Sequence, residues 1–443
     1  MTRPRPAATS IPWILPFIVV LTSPSSVVAQ GSAAAPDAQP PIALFPTTEA
    51  SGTSWVPDET PMAGRHWRIG TWEVMVHGVV FAQLALEPGE VHRTGGFSSH
   101  QVSSVNWGML MARRPLGAGR VGLRTMMSGE RWTVGDCGFI DFFASGEMCD
   151  GDTIHDRQHP HDLFMELAAD YSRPLSSSIR WQVYGGLAGE PALGPPAFPH
   201  RLSAALNPVG PIGHHWLDST HVAFGVVTTG IETPRIKVEG SIFNGREPDE
   251  RRTDLDLGVL DSYSGRVTFL PNPRLALQVS AGHLEQAEAQ FAPDPPTDVE
   301  RVTTSATTTR PVFASGMWAT TIAYGLSSEW ILLPGTGVRR WSQALLFETS
   351  VSDGRRNTWF GRFEVVGKPG HDLHADAVAT AILPTSKLQG GFERELTRRH
   401  GMTAGVGGTI AVSLVPRELI ARYYGRWAPG FGVFLVLRPA HRM

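Results

Sequence analysis

Seven of the 16 histidines in this chain of 443 residues fall between positions 155 and 221. They form two clusters, His155-Asp156-Arg157-Gln158-His159-Pro160-His161-Asp162 and His214-His215-Trp216-Leu217-Asp218-Ser219-Thr220-His221, with His200 between them. Imidazole beside carboxylate is a ligand set for a transition metal such as zinc or copper, and His159 and His161 share a face if their segment is extended. His155, His159, His161, His214, His215 and His221 are therefore the candidate metal ligands, although neither cluster has the His-Glu-x-x-His spacing of a zinc protease. The plainer reading is a hydrogen-bonded network that pins long loops, with Asp156 and Arg157 as an ion pair.

Other residues allow other chemistry. Ser203 or Ser219 with His215 or His221 and Asp218 could make the nucleophile and base of a barrel-embedded hydrolase, but the chain has no Gly-x-Ser-x-Gly turn. Met109 with Met111 and the Met126-Met127 pair offer soft thioether donors, yet in alternating strands they are expected to face lipid or fill packing gaps. Cys137 and Cys149 are the two cysteines, and in an exported chain such a pair is a disulfide sooner than a metal or redox site.

Export is written at the start of the chain. Met1-Thr2-Arg3-Pro4-Arg5, an apolar run from Ile11 to Thr22 and the small residues before Gln30 make residues 1–29 a cleaved secretory signal. A membrane anchor would need about 20 apolar residues, and this run is shorter and contains Pro16. Residues 30–64, rich in Ala and Pro, are expected to be a flexible periplasmic lead-in, and 65–443 the folded domain. Lys and Arg number 38 against 41 Asp and Glu, a net charge of −3, which excludes nucleic acid as the main partner.

What must position these side chains is a set of strands. Ile236, Val238, Gly240 and Ile242 alternate with Arg235, Lys237, Glu239 and Ser241, and similar period-two patterns recur along the chain without a competing helical period. Strands are expected near 72–86, 101–112, 119–128, 162–172, 179–190, 220–231, 235–245, 261–270, 274–284, 299–310, 316–327, 340–351, 355–366, 386–396, 402–413 and 429–438. The connections alternate between short turns and long loops, the latter at about 129–161, 191–219, 246–260, 285–298, 328–339, 367–385 and 414–428. The expected fold is all-β: a transmembrane antiparallel up-and-down β-barrel of about 16 strands, within 14 to 18, with short periplasmic turns and long extracellular loops. A soluble sandwich or propeller would not need so many strands of this length, and no 40–50-residue repeat is present. Trp72, Trp107, Trp181, Tyr263, Trp318, Trp341 and Trp359 would form interfacial girdles against outer-membrane lipid.

The inward parity then carries both signs: Asp162, Glu166, Asp170, Glu239 and Glu364 against Arg180, Arg235, Lys237, Arg266 and Arg362. Across a water-filled bore these would set a transverse field and select solutes; alternatively they are neighbouring ion pairs that close it. The threading puts the His-rich loops at the extracellular rim, and the run Glu190 to Pro196 as a rigid loop folded into or over the pore.

The last strand, Gly432-Val433-Phe434-Leu435-Val436-Leu437, resembles the ending that the barrel assembly machinery reads, but Arg438 to Met443 follow it and no terminal Phe is present. The strings Asp156 to Asp162, Gly189 to Pro195, Gly213-His214-His215 with His221, and Phe243 to Asp249 together resemble a family of uncharacterised, porin-like bacterial outer-membrane β-barrel proteins. The resemblance spans roughly 67–438 and implies fold and location, not activity. The expectation is a monomeric or homotrimeric barrel in the outer membrane that passes small polar solutes or metal ions without being an enzyme. A hydrolase, or a structural surface barrel with a plugged lumen, is the alternative.

Overall fold

The computed structural model describes residues 48–88, 99–288, 297–333, 336–423 and 425–440. The expected signal and the first part of the lead-in lie outside them. In chain order the strands are β1 (Arg65–Ile69), β2 (Trp72–Leu86), β3 (His100–Ser103), β4 (Asn106–Leu116), β5 (Gly119–Met127), β6 (Phe139–Cys149), β7 (Asp152–Gln158), β8 (Phe164–Pro174), β9 (Arg180–Gly189) and β10 (Ala223–Glu232). They continue as β11 (Ile236–Phe243), β12 (Ser262–Asn272), β13 (Leu275–Glu288), β14 (Thr297–Val312), β15 (Gly316–Leu333), β16 (Thr336–Ser352), β17 (Asn357–Pro369), β18 (Ile382–Arg399), β19 (Met402–Leu414) and β20 (Trp427–Pro439).

Sixteen of these form a closed antiparallel up-and-down barrel. It closes where β2 pairs with β20, from Val80 opposite Leu437 to Leu86 opposite Phe431. β1 pairs with the lower half of β2, and β3 continues β4 along the other edge of β2 past an irregularity at which Phe81 N donates to Val105 O. β6 and β7 make a separate two-stranded sheet. All the expected strands are present, most with boundaries within four residues of those read from alternation; the exception is β15, which runs on to Leu333 and pairs there with β16 from Thr336, so the long loop expected at 328–339 is mostly strand.

The alternation has the expected cause. On β11, Ile236, Val238 and Ile242 are 44%, 52% and 50% exposed, while Lys237, Glu239 and Ser241 between them are buried. An apolar stripe of this kind around a whole barrel is stable against hydrocarbon, not water. Tyr263, Trp318, Trp341 and Trp359 are exposed on the outside. Trp107 departs from the expected girdle: it packs among buried lumenal residues and against His77 and His200.

Most of the lumen is filled. Residues 48–64, expected to be a flexible lead-in, instead fold into it from the short-turn end. Glu49 is gripped by Arg113 and Arg120, with Arg124 at 3.7 Å, Lys237 donates to Thr53 O, and Thr60 bonds Thr309 on β14. Composition suggested disorder because the local sequence holds little apolar surface; the wall supplies the binding energy instead. From the other end, the loop between β9 and β10 crosses the bore. Ala192 N bonds Ser241 on β11, Gly194 N bonds Ser280 on β13, Asn207 bonds Gln389 on β18, and Trp216 Nε1 bonds Ser342 on β16. The β6–β7 hairpin packs beside it: Phe142, Phe143, Ile212, Trp216 and Leu217 form an apolar core against Ala323, Ala344, Leu346 and Val366 of the wall. Gly325 permits this contact, because a Cβ there would collide with the Trp216 carbonyl.

Candidate functional site

The filled lumen changes the meaning of the charged residues. Those expected to face one another across water are mostly buried anchors. Arg266 reaches Glu239, Glu190 and the Gly194 carbonyl; Lys237 stands 3.4 Å from Glu239; Arg362 pairs with Glu348 and bonds the Val209 carbonyl. Glu364 accepts from the Ile212 and Gly213 amides, Glu166 accepts from Tyr184, and Asp170 lies beside Arg113 and Arg124. Asp162 is 3.6 Å from Arg252. Arg180 pairs with Glu232 near the short turns, and Arg235 is exposed in a turn, bonded to Pro271 O, so it does not line the lumen. Buried charges are retained where each finds a partner, and here many partners are plug segments.

The histidines converge within the barrel rather than on its rim. His159 and His161 come from the segment after β7, His214 and His215 from the one-turn helix His214–Leu217, and His221 from the turn that follows. Their rings lie close: His159 to His214 6.0 Å and to His215 5.9 Å, His161 to His221 5.3 Å, His214 to His221 5.0 Å between centroids. All five are buried. His155 does not join them; it stacks on His374 at 3.9 Å and bonds Arg422.

An acceptor faces Nδ1 of each ring, hydrogen-bonded at His161, His214 and His221 and, through the Pro160 carbonyl, at His159, and at ion-pair distance at His215. His161 Nδ1 is 2.9 Å from Glu130 Oε2, His214 Nδ1 2.8 Å from Asp218 Oδ1, and His215 Nδ1 2.9 Å from Glu247 Oε1. His159 Nδ1 is 3.2 Å from Glu147 Oε1, and His221 Nδ1 2.8 Å from the Asp218 carbonyl. The Nε2 atoms of His159, His161 and His221 are buried with no hydrogen-bond partner. A ring held at Nδ1 by an acceptor presents Nε2 as a lone-pair donor of fixed direction, the arrangement that orients metal-bound histidine. Gly146 makes room for it, since a Cβ there would strike the His215 ring.

Electrostatics favour neutral rings at His159, His214 and His221. Burial, with Arg252 adding to it, holds His159 well below the ordinary imidazole value; burial and then His214 do the same for His221; burial takes His214 to about 4 against the opposing Asp218 bond. At His161 burial is outweighed by Glu130, and the value rises. Among the described residues, no three nitrogens of this cluster all lie within 4.8 Å of one another. Of the three described groups that meet that spacing, one is the disulfide pair Cys137 and Cys149 with Asp150; the others, His283 with Glu285 and Asp298, and Asp249 with Asp254 and Asp256, are on the long-loop side and more exposed than the histidine cluster.

The serines do not make a catalytic pair. Ser203 Oγ is engaged by Glu348 and Thr321, and Ser219 Oγ accepts from Arg301. The cysteines form the expected disulfide, Cys137–Cys149. The carboxylates behind the rings, Glu130, Glu147 and Glu247, were not singled out from sequence; nothing in their spacing from the histidines marks them.

No protein-family profile and no curated protein matches the chain. Among solved structures it is similar to OmpF of Salmonella typhi in complex with daunomycin, with a TM-score of 0.51 over 84% of this chain and 100% of that one. The fold is that of a porin-like outer-membrane barrel. Sequence identity to OmpF is 8%, so the likeness concerns architecture alone. An anion-selective porin from Comamonas acidovorans (12% identity, TM-score 0.48, covering 83% of this chain and 99% of that one) and the outer-membrane channel DcaP of Acinetobacter baumannii (11%, 0.48, covering 85% and 99%) were also matched.

Proposed function

We propose that this porin-like barrel is a channel for small polar solutes whose selected cargo is a divalent transition-metal ion, zinc or copper, held in the lumen by His159, His161, His214, His215 and His221. The observation that supports the reading is the anchoring of Nδ1 on a carboxylate or carbonyl at His159, His161, His214 and His221, with buried, unpartnered Nε2 atoms on His159, His161 and His221. Five clustered imidazoles without a cation would be a costly way to fill a core, because His159, His161 and His221 each leave a polar atom desolvated. Passage requires the plug to shift against both its polar links and its apolar packing on the wall.

The test is zinc and copper(II) titration of the purified barrel, followed by flux into liposomes. Stoichiometric binding that disappears in the combined His159→Ala and His161→Ala variant is expected. Equal affinity in both proteins would remove the site. A second reading, a structural barrel with a permanently closed bore, is favoured by the burial of Arg113, Arg201, Arg266 and Arg301 in the lumen; absence of conductance and of metal flux under every condition would select it.

A further inference from the structure

A second donor set lies lower in the lumen and does not depend on the histidine cluster. On β2 and β4, His77 is directly opposite Met109 and Met75 directly opposite Met111, all turned inward. Met75, Met109 and Met111 are 0%, 2% and 4% exposed, and His77 Nε2 lies 3.0 Å from Met109 Sδ. The plug loop brings His200 over this patch, its ring 5.5 Å from that of His77, and Met62 of the inserted N-terminal segment packs against the same cluster. Beside them is a cavity of about 390 Å³ that reaches the short-turn end, where the turn 353–356 lines it.

We infer that Met75, His77, Met109 and Met111, with His200 above them, form a binding site for a soft monovalent cation, copper(I) or silver(I), open toward the short-turn side of the barrel. Thioethers bind hard or borderline dications poorly and soft d10 cations well, and an uncharged donor set suits a single positive charge. Methionine also serves as a gap filler, but the distribution argues otherwise. Of 12 methionines in the chain, five (Met75, Met109, Met111, Met126 and Met165) meet in one buried cluster, whereas the apolar core higher in the lumen is built from Phe, Leu, Ile, Val and Ala. The cavity adjoins the sulfurs instead of being filled by them, and His77 directs its ring nitrogen at a sulfur. Trp107, two register pairs further along the same two strands and so on the same face, closes the patch with its indole against both imidazoles.

The experiment uses the full barrel in detergent. Silver(I) is titrated calorimetrically, and copper(I) is measured by competition with a chromogenic chelator, for the native protein and for the combined Met75→Leu, Met109→Leu and Met111→Leu variant, which keeps side-chain volume. The native protein is expected to bind one ion, and the variant to bind roughly 100-fold or more weakly once the thioethers are lost, with zinc affinity unchanged. The variant His159→Ala plus His161→Ala should retain silver(I) binding, so that failure of one site is separable from failure of the other. Native and triple-variant proteins of equal affinity, or a native protein that binds neither ion, would overturn the assignment. Should the triple variant fail to fold, X-ray absorption at the metal edge of the loaded native protein decides: sulfur neighbours support the site, and a shell of nitrogen and oxygen alone rejects it.

Discussion

Arg201, on the loop that crosses the lumen, donates from Nε to Glu348 Oε1 of β16 at 2.5 Å, and from Nη1 to Asp218 at 2.6 Å. The guanidinium is fully buried, so this contact ties the crossing loop to the wall opposite its origin and at the same time fixes the carboxylate behind His214.

Replacing Arg201 by methionine leaves Glu348 and Asp218 as buried anions with fewer partners. Loss of one member of such a network costs about 3–5 kcal/mol. The expected outcome is a lower denaturant midpoint together with larger or more frequent conductance events in planar bilayers, because the loop is released from the far wall. An unchanged midpoint and unchanged conductance would show that the loop is held elsewhere.

Glu130 touches His161 but contributes no ligand atom of its own to the ring cluster; its Oε2 takes both the amide and Nδ1 of that residue. Glu130→Gln should weaken zinc binding by about 10–100-fold, the usual effect of removing an outer partner, while leaving stoichiometry at the native value. Isothermal titration measures both. Native affinity in the variant would mean that ring orientation is set by packing alone.

Burial raises the carboxyl of Glu190, just beyond the end of β9, to about 7, against the opposing influence of Arg266 at 3.5 Å. Because this lies above the ordinary 4.5, the folded protein holds a proton that the unfolded chain releases. The stabilisation is complete below about pH 4.5 and is lost as pH rises through about 7. Glu190→Gln, neutral throughout, should therefore flatten the fall in unfolding free energy between pH 5 and 8, by at most about 1.4 kcal/mol per pH unit. Parallel curves for the two proteins would exclude Glu190 as the titrating group.

The Cys137–Cys149 bridge closes the β6 side of the hairpin that carries Glu147, the partner of His159. In the chain-entropy model a loop of this size is worth about 3 kcal/mol. Reduction, or Cys137→Ser with Cys149→Ser, should leave the barrel wall intact while exposing residues 137–152 to limited proteolysis. Mass spectrometry of the fragments locates the cuts; cleavage confined to other loops would contradict the expectation.

The wall was legible because lipid imposes a rule on every second residue, and Ile236, Val238 and Ile242 obey it plainly. The inner face obeyed no such rule. Once plug segments fill the bore, lumenal positions accept apolar as well as charged residues, so Met109, Met111 and Trp107 could not be told from lipid-facing ones by alternation. β8 adds a further obstacle: a register irregularity opposite Met126 and Met127 leaves both Met165 and Glu166 buried, against strict parity. The histidine clusters were visible as composition, but which five meet, and that His155 leaves for His374, depends on the path of two loops through the lumen. No local signal encodes that path. Glu49 illustrates the same limit, since its three arginine neighbours lie some 60 to 75 residues away in sequence.

The bonds from the β9–β10 loop to Ser241, Ser280, Glu348 and Gln389 run to strands spread around much of the circumference. They act as spokes. A wheel braced from within cannot flatten into an ellipse without stretching them, so changes in lateral membrane pressure or bilayer thickness should tilt this barrel as a rigid cylinder rather than alter its cross-section.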